Sequence, residues 1–565
     1  MCVPASAADR IFLNGRIVTM DPNFTIVSAL AVEGARVLAT GDAAAMLALA
    51  DTDSVVEDLD GQMMLPGLID SHLHPDQASV SEFDHPIPAM LTVTDVMDYV
   101  RSRAQVLPEG EWIWVRTVLT PRLRERRYPT RAELDQAAPR HPVIFAPYIY
   151  YPKASLNSLA LERLGIDREF ESETPADIER DPTTGEPTGL VRNHTRYVDD
   201  PGEVDRTNDS ERVEAVRNLM GIYNSVGLTT VSDRKATPIS IKVYEELAAQ
   251  DALTARLSLM HLLDTSPGRD VEEIVADILA LGQLREQINH PMLDLIGVKT
   301  FIDGGITSGT AYMLEPWGES DRFAILDPLY RGNLVLSGDR LERLIRASAN
   351  AGLQFTGHVV GDAAITELVR AYGAVIRETP IRHLRPSLTH ANFIPEQVIG
   401  QMAEWGIVAD IQPAWLYLDS NNLLDQWDEN RLRHFQPLKS LFDAGVLVAG
   451  GSDHWHRLDS HSATNPFNPF LGMWITLKRV PRYVDRAVNE DQVLTREQAL
   501  RLYTTNGAYL LFREEQVGSL EPGKYADMIV VDRDILESNL DDIRDTRVLR
   551  TYVNGELVYD AGSEQ

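Results

Sequence analysis

Two histidines separated by a single residue are the first side chains in this sequence with an evident chemistry. His72 and His74 end an apolar stretch, residues 65–75, which opens with a Leu-Pro-Gly turn signal. Because alternate side chains of an extended strand point to the same face, both imidazoles project together and Leu73 points away. Two converging imidazoles can share one metal ion. The alternative is a pair of surface histidines leaving a strand, so the interpretation needs further ligands elsewhere in the chain.

Residues that could complete such a site end other candidate strands. The middle of the chain alternates short apolar strands with helical segments, which predicts repeated βα units. Eight candidate strands lie at residues 68–70, 228–233, 255–260, 295–301, 353–358, 385–390, 407–412 and 446–453. Eight such units predict an α/β fold, a (β/α)8 TIM-like barrel, in which chemistry takes place at the C-terminal ends of the strands. The polar residues at those ends are His72, His74, Lys299, His358, His390 and Asp453.

Each of these residues also has an ordinary explanation. A histidine at a strand end is often a hydrogen-bonded packing residue, and Asp453 could be a turn carboxylate that caps a helix. Lys299 could be a cationic pocket residue that binds a substrate carboxylate, and the site would then hold one metal ion. Their coincidence at one predicted rim favours a metal site. Imidazole and carboxylate donors without thiolate suit Zn²⁺, with Mn²⁺, Fe²⁺ or Co²⁺ as alternatives.

The two ends of the chain are rich in short β-strands rather than βα units. Residues 1–64 and 510–565 carry β-branched segments punctuated by turns that contain Asn and Gly. We expect them to pair into one composite β-sandwich, with the barrel inserted at residues 65–509. The connection after the first barrel strand is far longer than an ordinary βα loop. Residues 77–227 are therefore expected to form an inserted subdomain over the barrel mouth that shapes the substrate pocket, the alternative being a peripheral decoration.

Composition limits the partners. The formal charge of −31 over 565 residues opposes binding to nucleic acid or to an anionic membrane. Cys2 is the one cysteine, which excludes an internal disulfide framework and a thiolate metal cluster. No stretch reaches the length of a membrane span, and the N-terminus lacks a basic region followed by a long apolar one. A cytoplasmic location is the expectation.

The sequence resembles the amidohydrolase superfamily and, within it, amidohydrolase family 3, which includes N-substituted formamide deformylases. The similarity extends over nearly the whole chain. It rests on the segments LPGLIDSHLHP (65–75), HPVIF (141–145), LNSLAL (156–161), GEPTGLVR (185–192), GLTTVSD (227–233), VKTFIDG (298–304), GHVVGDAA (357–364), THA (389–391), QP (412–413), GVLVAGGSD (445–453) and GSLEPGKYADMIVVD (518–532).

The resemblance implies a role for each residue of the predicted rim. His72 and His74 would hold the more buried of two divalent ions, and His358 and His390 the more exposed one. Asp453 would touch the first ion and act as the general base. Lys299 would be carboxylated by CO₂, which converts an ammonium group with donors alone into a carbamate that can bridge two ions.

Several further residues are weaker candidates. Asp303 could face the substrate or form a turn, and Asp362 could orient His358 or cap the following helix. Asn157 belongs to the family's Asn-Ser motif and is expected to reach the pocket. Relatives usually carry Gly-His shortly before that Asn, where this chain has Tyr151-Pro152, so an aromatic wall that includes Tyr151 is expected instead. Trp455 follows the last strand and is expected to bind substrate, with the flanking His454 and His456 at the pocket rim or behind it.

The main functional hypothesis is hydrolysis of an amide or N-formyl C–N bond in a small, partly apolar molecule. A metal-activated water would attack the carbonyl carbon, with Asp453 taking its proton and returning it to the departing amine. Rival hypotheses are a cyclic-amide hydrolase or heterocycle deaminase of the same fold, and a non-catalytic scaffold. Lys299 argues against a deaminase, because deaminases of this superfamily generally lack it. The expected partners are a small-molecule substrate and a second copy of the chain in a homodimer.

Overall fold

The computed structural model describes residues 7–146, 153–198, 207–288 and 290–563. Its centre is a sheet of eight parallel strands, each paired with its neighbour in chain order. The strands are Leu68–Leu73, Leu228–Ala236, Arg256–Leu262, Leu293–Phe301, Gln354–Val359, Ser387–His390, Val408–Ile411 and Val448–Gly450. The predicted (β/α)8 TIM-like barrel is confirmed, and each of the eight candidate segments overlaps one of its strands.

The barrel closes between the first strand and the segment that directly follows the last strand. Leu73 and His454 form a parallel bridge, and the N–H of Asp453 donates to the carbonyl of His72 at 2.7 Å. The N–H of His74 donates in turn to the carbonyl of His454 at 2.8 Å. The backbone bonds that close the barrel therefore run through the two segments that carry His72, His74 and Asp453.

Helices surround the barrel and bury their apolar faces against it. Gly338–Asn350 shows the pattern, because Leu341, Leu344 and Ile345 recur at helical spacing and are all buried. The other helices of the barrel region are Pro75–Ser79, Asp209–Ser225, Pro238–Ala249, Val271–Gln287, Asp362–Ile376, Glu396–Trp405, Pro413–Gln426, Glu429–Leu432, Leu438–Asp443, Pro469–Lys478, Arg496–Leu502 and Thr505–Leu510. No helix in the described part of the chain is both long and apolar enough to span a membrane.

Strands from both chain ends share one sheet, as predicted for the composite sandwich. Met528–Val531 pairs antiparallel with Met63–Pro66, so the far C-terminus lies beside the strand that leads into the barrel. The sheet's strands are, in spatial order, Glu556–Asp560, Val548–Val553, Met528–Val531, Met63–Pro66, Arg16–Val18 and Ile26–Val27. A second sheet contains, in spatial order, Arg36–Gly41, Ala29–Glu33, Ala8–Leu13 and Ala50–Asp58. The short helix Ala43–Leu47 lies between Arg36–Gly41 and Ala50–Asp58 in the chain. One buried cluster that includes Phe12, Met64 and Tyr552 joins the two sheets.

The long connection after the first strand carries a sheet of its own. Its strands are, in spatial order, Ile178–Arg180, Pro187–Arg192, Lys153–Leu156, Val143–Phe145 and Ile113–Val115. Helices Val93–Val106, Arg131–Ala137 and Ser158–Arg163 accompany it, with cores of their own around Val100 and Leu156. Asp209–Ser225, at the end of this connection, packs instead on the barrel beside Leu228–Ala236.

Candidate metal centre and active site

Two imidazoles and one carboxylate converge at the barrel mouth. The Nε2 atom of His74 lies 3.1 Å from Oδ1 of Asp453, and the Nε2 atom of His72 lies 3.4 Å from the same oxygen. One donor atom from each of the three residues lies within 4.8 Å of the other two. The His-x-His spacing on a strand and the strand-8 aspartate thus come together as a group that could hold one cation.

Lys299 lies against the same group. Its Nζ atom is 3.1 Å from Nε2 of His72, and the side chain is buried on the fourth barrel strand. Burial lowers the pKa of Lys299 to about 8, against the attraction of Asp453 and Asp410 for its proton. This lysine is therefore mostly protonated at pH 7, but more of it is the uncharged amine than in an exposed lysine.

Two further histidines lie beside the first pair. The His390 ring is 4.9 Å from the His72 ring and 4.5 Å from the His358 ring, centroid to centroid. Burial holds the pKa of His390 well below its usual range and lowers that of His358 to about 3. Both rings are neutral at physiological pH, the form in which imidazole binds metal ions.

Acceptors on the seventh strand fix the tautomers of two of these rings. Nδ1 of His72 lies 3.1 Å from Oδ2 of Asp410, and Nδ1 of His390 lies 2.6 Å from Oε1 of Gln412. Because a carboxylate can only accept, and the Gln412 amide presents its oxygen, both rings carry the proton on Nδ1. Their Nε2 lone pairs are left for the centre of the site.

The backbone is held in an uncommon conformation at the last strand. Asp453 has a φ of +57°, in the left-handed region that side chains larger than glycine rarely adopt. Burial raises the pKa of Asp453, but the contacts of its carboxylate with the imidazoles of His72 and His74 outweigh burial and hold the pKa well below its usual range. The carboxylate is therefore ionised and fixed towards the two imidazoles.

A cavity of about 650 Å³ adjoins this centre. His74 and Asp233 of the barrel line it together with Trp112 and Trp114 of the inserted subdomain. The volume is in the range of small-molecule sites, and the wall is partly aromatic. Side chains of the inserted subdomain therefore form part of the cavity wall.

Asp303, which the sequence left open between a substrate-facing residue and a turn, binds backbone groups in the structure. Its buried carboxylate accepts backbone N–H bonds from Tyr312 at 2.8 Å and from Val360 and Gly361 at 2.9 Å each. These bonds join the long loop after strand 4 to the end of strand 5. These contacts favour the alternative interpretation, that Asp303 stabilises a turn.

Asp362, expected either to orient His358 or to cap the following helix, also binds backbone groups. Oδ1 of Asp362 accepts from the N–H groups of Leu314 and Ala363, at 2.6 and 2.9 Å, at the start of helix Asp362–Ile376. His358 instead has its Nε2 atom 3.3 Å from the carbonyl of Gly304. A carbonyl oxygen can only accept a hydrogen bond, so Nε2 of this neutral ring carries the proton and Nδ1 carries the lone pair.

Asn157 caps a helix and does not reach the pocket. Its Oδ1 accepts from Ala160 and Val143, and its Nδ2 donates to the carbonyl of His141 at 2.8 Å, all within the inserted subdomain. Tyr151 lies outside the described residues. Trp455 is half-buried, with its ring 5.3 Å from that of His456, which lines the cavity.

The donor set fits a divalent cation. Among the described residues, the buried Nδ1 of His74 has no hydrogen-bond partner, and its Nε2 faces Asp453. Imidazoles, one ionised carboxylate and no thiolate suit a hard or borderline ion such as Zn²⁺. The residues that would hold it are His72, His74 and Asp453, with Lys299, His358 and His390 beside them.

Sequence reasoning missed four residues that support the site. Asp410 and Gln412 end the seventh strand two positions apart, the same spacing that drew attention to His72 and His74, so a signal was present. Asn465 contacts Asp453 from 12 residues further along the chain, and Arg122 contacts Asn465 from the inserted subdomain. Nothing in their local sequence indicates either contact.

A parallel barrel with histidines, a lysine and an aspartate at the C-terminal ends of its strands defines a class of metal-dependent barrel proteins. A profile of the amidohydrolase family matches residues 55–559, and the chain belongs to this family. With the His-His-Asp group, this supports a metal-dependent hydrolase.

Individual relatives are similar to this chain over nearly its full length. The chain is 28% identical over 566 residues to the N-substituted formamide deformylase of Arthrobacter pascens, covering 98% of each protein. It is 26% identical over 567 residues to the protein LONG AFTER FAR-RED 3 of Arabidopsis thaliana, covering 98% of this chain and 92% of that one. A metal-dependent hydrolase from Pyrococcus horikoshii shares the fold with a TM-score of 0.68 at 19% identity, over 94% of this chain and 99% of that one.

Proposed function

We propose that this protein hydrolyses the C–N bond of an amide or N-formyl amine, in a small and partly apolar molecule. The observation that carries the proposal is the convergence of His72 Nε2 and His74 Nε2 on one oxygen of Asp453, beside a cavity of about 650 Å³. The similarity to a formamide deformylase over 98% of the chain supports an amide-type substrate.

The chain's own residues would hold one or two divalent ions, with Zn²⁺ as the metal we propose. His72, His74 and Asp453 would hold the first, and His358 and His390 the second. A divalent ion supplies two things at such a site, a lower pKa for water and polarisation of a carbonyl group. Asp410 and Gln412 keep two of the imidazoles in the tautomer that leaves Nε2 available.

Asp453 is the proposed general base. Its ionised carboxylate lies at the centre of the group and is less enclosed than His72, with 14% of the side chain exposed. It would accept the proton of the attacking water and pass it to the amine nitrogen as the C–N bond breaks. The products are a carboxylic acid, formic acid for an N-formyl substrate, and a free amine.

Lys299 is proposed to carry a carbamate. The uncharged amine, rather than the ammonium, combines with CO₂ and loses a proton to form a carbamate. Burial lowers the pKa of Lys299 to about 8, which favours that reaction in this position. The resulting anion has two oxygens that can bind cations where the ammonium has none.

The decisive experiment is a panel of N-formyl and N-acyl amines, with cyclic imides and amino-heterocycles included, assayed with metal-loaded protein for release of amine. Asp453→Asn is expected to retain at least one metal ion, because His72 and His74 remain, and to lose turnover by roughly 10³-fold or more. Metal content is measured by elemental analysis of the same preparations.

The matched control is Asp425→Asn, which changes an exposed carboxylate that lies in surface ion pairs. Turnover by Asp453→Asn at the wild-type rate would contradict the role of Asp453. Release of ammonia from heterocycles without amide cleavage would support a deaminase instead. Protein that stays metal-free after refolding with Zn²⁺ would indicate a scaffold.

A further inference from the structure

Asn465 holds Asp453 by two hydrogen bonds. Its Nδ2 atom donates to the Asp453 carboxylate at 3.0 Å and to the Asp453 carbonyl at 2.7 Å. The second bond fixes the backbone of a residue whose φ is +57°. A carboxylate and a strained backbone are thus held by one amide group.

Arg122 decides which way this amide points. Its Nη1 atom donates to Oδ1 of Asn465 at 2.8 Å and to the carbonyl of Thr464 at 2.7 Å. Because a guanidinium group can only donate, the Asn465 oxygen must face Arg122 and the NH₂ group must face Asp453. A flipped amide would present an oxygen to the carboxylate.

Arg122 is itself held in place by a buried carboxylate. Its Nε and Nη2 atoms form a two-pronged pair with Asp419 on helix Pro413–Gln426, at 2.7 and 2.9 Å. The Asp419 side chain is 1% exposed and that of Arg122 is 10% exposed, so the pair is shielded from water. Such a planar fork cannot be reproduced by lysine.

Arg122 belongs to the inserted subdomain and not to the barrel. Arg122 lies in the short 3₁₀ turn Thr120–Arg122 of the inserted subdomain, more than 300 residues before the loop that it orders. Thr117, a few residues earlier, lines the substrate cavity and accepts a hydrogen bond from Thr464. The subdomain that shapes the pocket therefore also contacts the loop that carries the proposed base.

We propose that Arg122 is a positioning residue for catalysis, which acts through Asn465 to hold the carboxylate of Asp453 in place. The inference rests on the proposed function of Asp453. It makes the inserted subdomain part of the catalytic machinery, beyond its contribution to the pocket wall. Arg122 touches no reacting atom, so its removal should slow turnover without weakening substrate binding.

The test uses Arg122→Lys as the main variant, because lysine keeps a positive charge beside Asp419 but loses the bond to Asn465. We expect kcat to fall about 10- to 100-fold, the usual effect of removing a partner that orients an active-site ligand. KM is expected to stay within about twofold of the wild-type value, since the interaction belongs to the chemical step. The assay uses whichever N-formyl or N-acyl amine the full-length metal-loaded protein cleaves.

A double-mutant cycle tests whether Arg122 acts on Asp453 through Asn465. If Arg122 acts through Asn465, the double variant Arg122→Lys/Asn465→Ala should lose no more kcat than Asn465→Ala alone. Losses that multiply would overturn the proposed path. The matched control is Arg126→Gln. Arg126 follows the Thr120–Arg122 turn and pairs with Asp425 on the same helix as Asp419, Pro413–Gln426, but the pair does not include Asn465 or Asp453.

A second readout does not depend on turnover. With Co²⁺ bound, we expect Arg122→Lys to alter the visible absorption spectrum, because Asp453 is a proposed ligand, and Arg126→Gln to leave it unchanged. An altered spectrum in a protein that cleaves no amide would support the positioning role and contradict the proposed function. An unaltered spectrum with wild-type kcat, or a raised KM with unchanged kcat, would overturn the inference.

Discussion

At the scale of single residues, the acceptors behind the histidines matter as much as the histidines. Asp410 faces Nδ1 of His72, and Gln412 faces Nδ1 of His390. Each acceptor keeps a proton on the nitrogen that points away from the site. The ring is thereby oriented and its second nitrogen made available before any cation binds, which lowers the cost of binding.

Asp410→Asn tests this argument. The neutral amide holds the His72 N–H more weakly and can present its NH₂ group instead, so we expect metal affinity to fall about 10- to 100-fold. Competition with a chelator of known affinity measures the change.

Asp425→Asn, at an exposed residue, serves as the control and should leave metal affinity unaltered. Wild-type affinity in Asp410→Asn would show that the hydrogen bond to His72 does not orient the ring. Because Asp410 is also fully buried near Arg234, thermal denaturation of the metal-free variant is measured alongside.

Residue type alone did not separate two uses of a polar side chain. Asp303, Asp362 and Asn157 follow or precede strands, as site residues do, but their polar atoms bind backbone N–H and C=O groups. A carboxylate at a strand end can face a pocket or cap a neighbouring segment. The choice depends on which backbone groups the fold leaves unpaired nearby.

At the scale of elements, barrel closure brings the site together. Pairing of the first strand with the segment after the last one places His72 and Asp453 on adjacent backbone, joined by a 2.7 Å bond. The strands could be predicted because each is a short apolar run. Their register could not, since it depends on packing between neighbours that lie far apart in sequence.

Gly67→Ala probes the junction between the sandwich and the first barrel strand. A Cβ atom at Gly67 would lie 2.1 Å from Oγ1 and 2.8 Å from Cβ of Thr229, and the latter cannot move by side-chain rotation. We expect the variant to lower the free energy of unfolding by about 1–3 kcal/mol, the usual cost of overpacking. Urea denaturation of the metal-free protein measures it.

Gly400→Ala is the matched control. Gly400 lies in helix Glu396–Trp405, and an added Cβ would meet nothing within 4 Å. It should be neutral or stabilise the protein by about 0.5–1 kcal/mol, because alanine favours helix. Equal stability of the two variants would mean that the junction can relax around the added methyl group.

At the scale of the whole molecule, a buried ion pair fastens the sandwich to the barrel. Arg256 begins the third barrel strand and binds Asp527 through two bonds of 2.8 and 3.0 Å. Its guanidinium also lies 3.9 Å from the centre of the Tyr525 ring. Both charged side chains are almost completely buried, so neither can turn to water if its partner is lost.

Arg256→Met should therefore destabilise the protein by about 3–5 kcal/mol, because it leaves a buried carboxylate without its partner. The double variant Arg256→Met/Asp527→Leu should recover a large part of that loss. The midpoint of urea unfolding measures both. Arg533→Met, which removes a surface pair with Asp532, is the control and should cost at most about 1 kcal/mol.

A double variant less stable than Arg256→Met would contradict the explanation from an uncompensated charge. The expected homodimer stays a prediction, and analytical ultracentrifugation of the full chain measures it.

Local features could be predicted from the amino-acid order alone. Strand and helix positions, the two β-rich ends, the long insertion and the rim residues from His72 to Asp453 follow from apolar periodicity and from side-chain type, which act over a few residues. Features that depend on groups distant in sequence emerge only in the folded chain. Asp410 behind His72, and Arg122 with Asn465 behind Asp453, are examples. Their roles come from hydrogen bonds between residues separated by up to 343 positions, and no local pattern encodes a partner at that distance.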